Sequence, residues 1–562
     1  MKHVIVLCMV CAALSAAYSE NYLVNGGQAS TIRYSLTQEF NPVPGTKKVY
    51  LSFVVPGSFT SPTYTQDITD FKLTFTPLPS KKTDTQDDKG NRIITAQWDS
   101  PGTPVTVTTS FYATTRTILN AVTSQSPFPL PRDIPVSPDY LAPTALVQSD
   151  SSCIISRSKE LVAGSETQFD AVQRILSWIV DHMTYVTPPR QYDALYSFVH
   201  KTGNCQNYSH LAAALMRSSG IPVRIVNGIT LKEPYSIQSG PGSFTFKMGQ
   251  GRHSWIEVFF PDIGWVPFDP QQTELFVSNR FIRVEVGKDN KETVNDGLVR
   301  WIQSKGVQAQ PGFTETIQAA FVADSVQMSM DKQDYGPRKM LLCPKVESVF
   351  SPVSVPAAPK PAVLDTAQLQ KLEYTEKVVF GNISFPRNID FSTARSREKG
   401  QQDSFVLKKN FLVESAEYVT TRLTQYAQVF VLDKPMKLAA ASLALHKFGG
   451  QGQLWLELYA DDSDKPGALI AASTIKSTDG ISTRQGYDWV NFNFSKDSPV
   501  LGPGQYWISL AFTGSPVINW FYTYGKSVGP VYGTRFKSVY DPAWSNALSY
   551  EFNYRVAGYL PQ

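Results

Sequence analysis

Cysteine and histidine are scarce in this chain, with five Cys and six His in 562 residues. Cys8 and Cys11 lie in the first apolar stretch, so only Cys153, Cys205 and Cys343 remain beyond it. So few thiols exclude a disulfide framework; at most one bridge forms, with Cys153 and Cys343 as the candidate pair, and one thiol is left over. Histidine, cysteine and acidic residues nowhere show metal-ligand spacing, so neither a metal nor any other cofactor is expected. A dominant charge is lacking too. The 52 Lys and Arg against 48 Asp and Glu give +4, and no basic run could follow a phosphate backbone, so nucleic acid is not an expected partner. Past the first residues, no stretch approaches the roughly 20 apolar residues that cross a bilayer as a helix. No internal repeat is visible.

What is present describes a globular, multidomain protein. Hydrophobic residues make up 42% and charged residues 18%, enough apolar side chains for sizeable cores. A chain this long exceeds one core and predicts roughly three or four domains. Met1-Lys2-His3 precedes an apolar run from Val4 to about Leu14 and then Ser15-Ala16-Ala17-Tyr18-Ser19. That order reads as a signal peptide over residues 1–19, and so as a protein that is secreted, periplasmic or on the cell surface.

Residues 20–132 contain short alternating runs, such as Val49 to Val55 and Val105 to Tyr112, broken by Pro, Gly and Asp clusters. They predict a β-sandwich, with Asp88-Lys89-Gly90-Asn91 as a hairpin turn. The period changes at residues 140–345, expected as an α+β core with a C-terminal extension. Phe169, Val172, Ile175, Leu176, Ile179 and Val180 fall at helical spacing, and further helices are predicted over Ala194 to Val199 and Cys205 to Ser218. The last carries Leu211, Ala212, Leu215 and Met216 on its apolar face. Strands are expected at Val223 to Val226, Ser254 to Phe260 and Gly264 to Asp269. Pro352, Pro356, Pro359 and Pro361 stiffen a linker over 346–370. Residues 371–562 alternate again, as at Trp455 to Tyr459 and Tyr506 to Phe512, and predict a second, jelly-roll-like β-sandwich. Its Tyr and Trp between 489 and 522 suit a core better than a sugar platform.

One constellation carries chemistry. Gly203-Asn204-Cys205 places a thiol at the first turn of a helix, where unpaired N–H groups stabilise a thiolate. His253 opens the strand Ser254 to Phe260, and Asp269 closes the next. If these strands pair through the Pro261 to Gly264 turn, the start of one faces the end of the other, so His253 and Asp269 become neighbours. An imidazole with a carboxylate to orient it is what a thiol nucleophile needs. His182, His200, His210 and His446 read as structural, and Trp255 and Trp265 as core residues flanking a cleft.

These motifs, Gly203-Asn204-Cys205, His253-Ser254-Trp255 and Trp265-Val266-Pro267-Phe268-Asp269, resemble those of the transglutaminase-like superfamily over roughly residues 140–290. The resemblance implies a papain-like core with Cys205 as nucleophile, His253 as base and Asp269 as orienter, acting by acyl transfer on protein or peptide amides, with either hydrolysis or transamidation as the outcome. It also implies a second oxyanion donor just before the nucleophile helix, at Gln191 or Tyr192. An insertion, Leu231 to Gly251, is expected to shape the cleft. The alternative is a non-catalytic cell-surface interaction or assembly protein that keeps the fold. The flanking sandwiches would then present surfaces to partners, and the C-terminal one would contact the cell envelope or a polysaccharide.

Overall fold

The computed structural model describes residues 21–333, 365–381 and 415–561, apart from 120–123, 187–188, 240–241, 248, 272–275, 484–486, 495–497, 525–532, 541, 545 and 549. Strand pieces at 341–342, 392–395 and 404–408 are also described. The signal-peptide segment, Cys343 and the proline-rich part of the linker lie outside the described residues.

The protein is mostly β, with a central α+β domain between β-sheet domains. In the N-terminal sandwich, Asn21–Asn41 runs antiparallel between Gly312–Gln333 and Val105–Ile118, and Tyr64–Thr76 pairs beyond the latter. The facing sheet has Thr46–Val55 between Leu298–Gln303 and Arg92–Asp99. Its outer hairpin turns at the Asp-Lys-Gly-Asn segment: Gly90 takes a φ of +86°, and the Asp87 carboxylate accepts the backbone N–H groups of Lys89 and Asn91. Alternation decides which side is buried. Along Val105–Ile118 every second residue, from Val105 to Ala113, points inward, and Val49, Leu51, Phe53, Trp98, Val107 and Trp301 fill the space between the sheets.

The segment expected as an extension of the core thus carries two strands of this sandwich, and Ser404–Lys408 adds to the sheet beside Leu298–Gln303. Strand pairing is non-local, and alternation records which face is buried but not which strand lies alongside.

Four helices, α1 (Ser152–Leu161), α2 (Gln168–His182), α3 (Ala194–His200) and α4 (Cys205–Ser218), pack with a four-stranded antiparallel sheet. Its strand order is Gly264–Phe268, Gly251–Phe260, Val223–Thr230, Phe281–Gly287. α2 begins where Thr167 caps it, accepting the Asp170 N–H, and buries Phe169, Val172, Ile175, Leu176, Ile179 and Val180, the stripe read from the sequence. α4 differs from expectation. Every residue from Cys205 to Arg217 is buried, polar ones included, because α1, α2, α3 and the sheet all pack around it. Removing Leu211, Leu215 and Met216 from water contributes roughly 2 kcal/mol each.

The C-terminal domain is two packed antiparallel sheets. Pro466–Ala472, Gly452–Asp461, Gly504–Gly514, Thr424–Leu432 and Thr534–Ser538 form one. Tyr374–Gly381, Tyr554–Pro561, Met436–Gly449 and Val517–Tyr524 lead the other. Trp507 and Trp520 are fully buried, as expected for core aromatics.

The insertion forms a hairpin, Tyr235–Ser239 with Gly242–Phe246, whose Tyr235 and Phe246 rings stack at 4.9 Å. Gln238 pairs with Ser329 of the N-terminal sandwich, while Phe244 and Thr245 pair with Ala547 and Leu548 of the C-terminal domain. The hairpin therefore links the two flanking sheets.

Candidate active site

Cys205 is the first residue of α4. Asn204 caps the helix: its side-chain oxygen accepts the Gln206 N–H at 3.1 Å, and its own N–H donates to Asn207 Oδ1 at 3.2 Å. This reciprocal capping box holds the chain entering the helix in one conformation. Gly203 is required for close approach, since a Cβ there would stand 2.2 Å from the Asn207 Cβ. The space a side chain would take is thus filled by Asn207, rather than kept open beside the sulfur.

The sheet register brings His253 and Asp269 together. Ile256 pairs with Phe268 and Phe260 with Gly264, so Asp269, just past its strand, lies near the start of the other. His253 Nε2 is 2.8 Å from Asp269 Oδ2, and Asp269 Oδ1 accepts the Gln271 N–H at 3.1 Å. The Cys205 side chain also bears on the charge of His253. Burial pushes the imidazole down, but the charge and hydrogen bond of Asp269, helped by Cys205, outweigh it and hold His253 at about 9. The ring is therefore an imidazolium at neutral pH.

Cys205, His253 and Asp269 all have 0% exposed surface. The Phe281 ring meets the His253 ring edge-on at 5.5 Å, and Trp255 lies against Phe281 at 5.3 Å. Gly228 sits directly opposite His253 in the sheet. Trp255 occupies the space over it, 2.2 Å from where a Cβ would be.

Of the two candidate oxyanion residues, Tyr192 and Gln191 stand differently. Gln191 is exposed, and its backbone carbonyl accepts the Asn207 side-chain amide at 3.0 Å. Tyr192 is half-buried, and its phenol is pushed up to about 12 by burial and, second, by the charge of Cys205. That places a neutral hydroxyl donor within the electrostatic reach of the sulfur.

His210 does more than fill space. Its Nδ1–H donates to the Tyr192 carbonyl at 2.6 Å, and its Nε2 accepts the Asn290 N–H at 3.2 Å. Burial is the main cause that pushes it down to about 4, so it stays neutral with the tautomer that both bonds require. Asn207 and His210, three apart on one face of α4, thus hold the backbone of Gln191 and Tyr192 against the helix that starts at Cys205. That i, i+3 polar pair was the signal available in the sequence. Tyr208 is also beside the site; burial and then the Asp269 charge push its phenol up.

Behind the sheet, Arg252 pairs with Asp296 and, at 3.0 Å, with Glu315 of the N-terminal sandwich. The strand that carries His253 is thereby pinned to that domain. Among the described residues no cluster of three or more His, Cys, Asp or Glu side chains could hold a metal ion.

Residues 155–270 match the sequence profile of the transglutaminase-like superfamily. This part of the chain is a transglutaminase-like core. The chain is also similar, over part of its length, to stretches of two uncharacterised proteins. One is YebA of Bacillus subtilis, 34% identical over 119 residues that make up 20% of this chain and 16% of YebA. The other, from Mycobacterium leprae, is 32% identical over 88 residues, 16% of this chain and 28% of that protein. The match thus spans well under two thirds of either relative. Among solved structures, a candidate cysteine protease from Cytophaga hutchinsonii aligns with 56% of this chain and 98% of its own at 17% identity and a TM-score of 0.40. The periplasmic domain of TgpA from Pseudomonas aeruginosa aligns with 42% of this chain and 89% of its own at 12% identity and a TM-score of 0.23.

Proposed function

We propose that the protein is an exported thiol enzyme that transfers the acyl group of protein or peptide amides, with Cys205 as nucleophile, His253 as acid and base, and Asp269 as orienter. The observation that carries this reading is the buried His253–Asp269 pair, hydrogen-bonded at 2.8 Å, whose imidazole also lies in the field of the buried Cys205 at a helix start. With the proton already on His253, the sulfur attacks the substrate carbonyl carbon. The negative oxygen is held by the Cys205 N–H and the Tyr192 hydroxyl, Tyr192 being preferred to Gln191 because its phenol lies in the field of Cys205. Collapse of the adduct expels the amine, which takes the proton from imidazolium; water or a second amine then attacks the thioester, with His253 accepting its proton.

Export rests on the N-terminal residue pattern, and no helix among the described residues is long and apolar enough to cross a membrane. A second reading, a surface or assembly protein without turnover, is favoured by one observation. Cys205 and His253 expose no surface, so a carbonyl reaches the sulfur only after neighbouring side chains move.

Brief treatment of the purified chain with iodoacetamide at about pH 6, followed by peptide mapping, separates the two readings. Selective alkylation of Cys205, lost in His253→Ala, is expected of the enzyme. Cys205 inert in both proteins, but labelled after unfolding, would leave the scaffold reading standing.

A further inference from the structure

The residue that follows His253 on its strand starts a second series of buried hydrogen bonds. The Ser254 hydroxyl donates to Asn290 Oδ1 at 3.2 Å, the Asn290 N–H donates to His210 Nε2 at 3.2 Å, and His210 Nδ1–H donates to the Tyr192 carbonyl at 2.6 Å. Each member stands on a different element: the strand Gly251–Phe260, the turn after Phe281–Gly287, helix α4 and the segment just before α3. The series therefore runs from the neighbour of the proposed base to the backbone of the proposed oxyanion donor.

Asn290 is the joint. Its side-chain oxygen takes the bond from the strand of His253, and its backbone N–H passes a bond on to His210. Its side-chain amide donates to Thr293 Oγ1 at 2.9 Å, and the Thr293 carbonyl accepts the Asn227 amide at 3.0 Å. Asn227 lies directly opposite Ser254 in the strand pair, so the turn is tied to two adjacent strands at one level. Asn227, Ser254, Asn290, Thr293 and His210 are all buried. Away from bulk water a lost partner is costly to replace, so each group is held to the position its neighbours set. A shift of the turn would move His210, and with it the Tyr192 segment, relative to the strand of His253.

We propose that Asn290 is a positioning residue for acyl transfer: it keeps the Tyr192 segment in register with the strand that carries His253, so that oxyanion donor and base hold one mutual geometry. This rests on the thiol-enzyme reading of the site. An oxyanion is stabilised by donors already set about 2.7–3.1 Å from where it forms, and misplacing such a group by a fraction of an ångström slows the reaction. Asn290 and Ser254 carry no proton in the mechanism; their part is the distance between the groups that act.

The test compares two reactions of Cys205 in the full chain, with Cys205→Ala as the blank. With p-nitrophenyl acetate the sulfur attacks the ester carbonyl, an S–acyl bond forms, and the oxyanion collapses as p-nitrophenolate leaves. With iodoacetamide the sulfur attacks a saturated carbon and iodide leaves, with no oxyanion to hold. Both reagents are small and meet the same covering side chains, so the ratio of the two rate constants reports the oxyanion donors rather than access or thiolate supply. Asn290→Ala should slow acylation about tenfold and alkylation by less than about twofold. Ser254→Ala, which removes a single hydroxyl and decides the matter if Asn290→Ala does not fold, should lower the ratio about threefold. The double variant should lower it no further than Asn290→Ala alone, because both cut one path. Tyr192→Phe should give the same signature, at least as large. If Tyr192→Phe lowers the ratio while Asn290→Ala slows both reactions equally and Ser254→Ala leaves the ratio unchanged, the network is only a structural core and the proposal is overturned. A parent that is not acylated at Cys205, or a ratio indifferent to Tyr192→Phe, would instead overturn the reading of the site, and the proposal with it.

Discussion

Replacing Asp269 by Asn probes the electrostatics that the site depends on. Asn keeps an oxygen to accept the Gln271 N–H, so the turn after the strand should survive, but it removes the charge that holds His253 above its ordinary value. Burial then acts unopposed by that charge, and the imidazole should fall. In the parent, His253 lies at about 9 against an ordinary 6.5, and those roughly 2.5 units correspond to about 3 kcal/mol of folding free energy. Because the folded value is the higher one, this stabilisation is fully present below pH 6.5 and is lost as pH rises through 9. Asp269→Asn should therefore be less stable than the parent near pH 6, with the gap shrinking by about 3 kcal/mol towards pH 9.5. The assays are an NMR titration of the histidine rings, with His253 assigned by substitution, and urea unfolding at both pH values. A parent His253 that titrates below about pH 7, or a stability gap that does not change with pH, would refute the reasoning.

Three further outcomes follow from the packing and charge around the site. Gly228→Ala puts a Cβ 2.2 Å from the Trp255 ring and 2.3 Å from the Ile282 carbonyl. It should cost about 1–3 kcal/mol and slow alkylation of Cys205 by displacing His253 across the strand pair, read by thermal unfolding and iodoacetamide rates. His210→Ala leaves the Tyr192 carbonyl and the Asn290 N–H without their partner and opens a cavity. A loss of about 3 kcal/mol is expected, with partial recovery in His210→Gln, measured by denaturant unfolding. Burial, reinforced by Asp296, pushes Glu285 up from 4.5 to about 8, so its contribution to stability is lost as pH rises through 8. Glu285→Gln stays neutral and should gain on the parent by about 2 kcal/mol between pH 6 and pH 8, again by unfolding at each pH.

Much of the site was legible because its parts are local. A glycine, a helix-capping Asn and a Cys read as a helix start. Two apolar runs joined by Pro261 to Gly264 read as a hairpin, whose register alone brings His253 to Asp269. The polar face of α4 was not legible. Periodicity marks Leu211 and Leu215 as buried but treats Asn207 and His210 as solvent-facing, since what satisfies them, the backbone of Gln191 and Tyr192, comes from a loop before the helix. Nor was the close approach at Gly203 legible, because the Asn207 side chain that fills the space of its missing Cβ folds back from the following turn.

Local pattern by itself determined the elements: the capped helices, the alternating strands, the hairpin carrying His253 and Asp269, and the position of Cys205 at a helix start. These follow from capping, steric period and turn chemistry, which act between residues a few positions apart. Only the tertiary structure decided that 298–333 completes the N-terminal sandwich, that the insertion joins the flanking sheets, that Cys205 and His253 are wholly buried, and that Ser254, Asn290 and His210 meet in one series of hydrogen bonds. Each of these depends on which distant segments lie side by side, and hydrogen bonds between strands and contacts between faces leave no periodic trace in either segment.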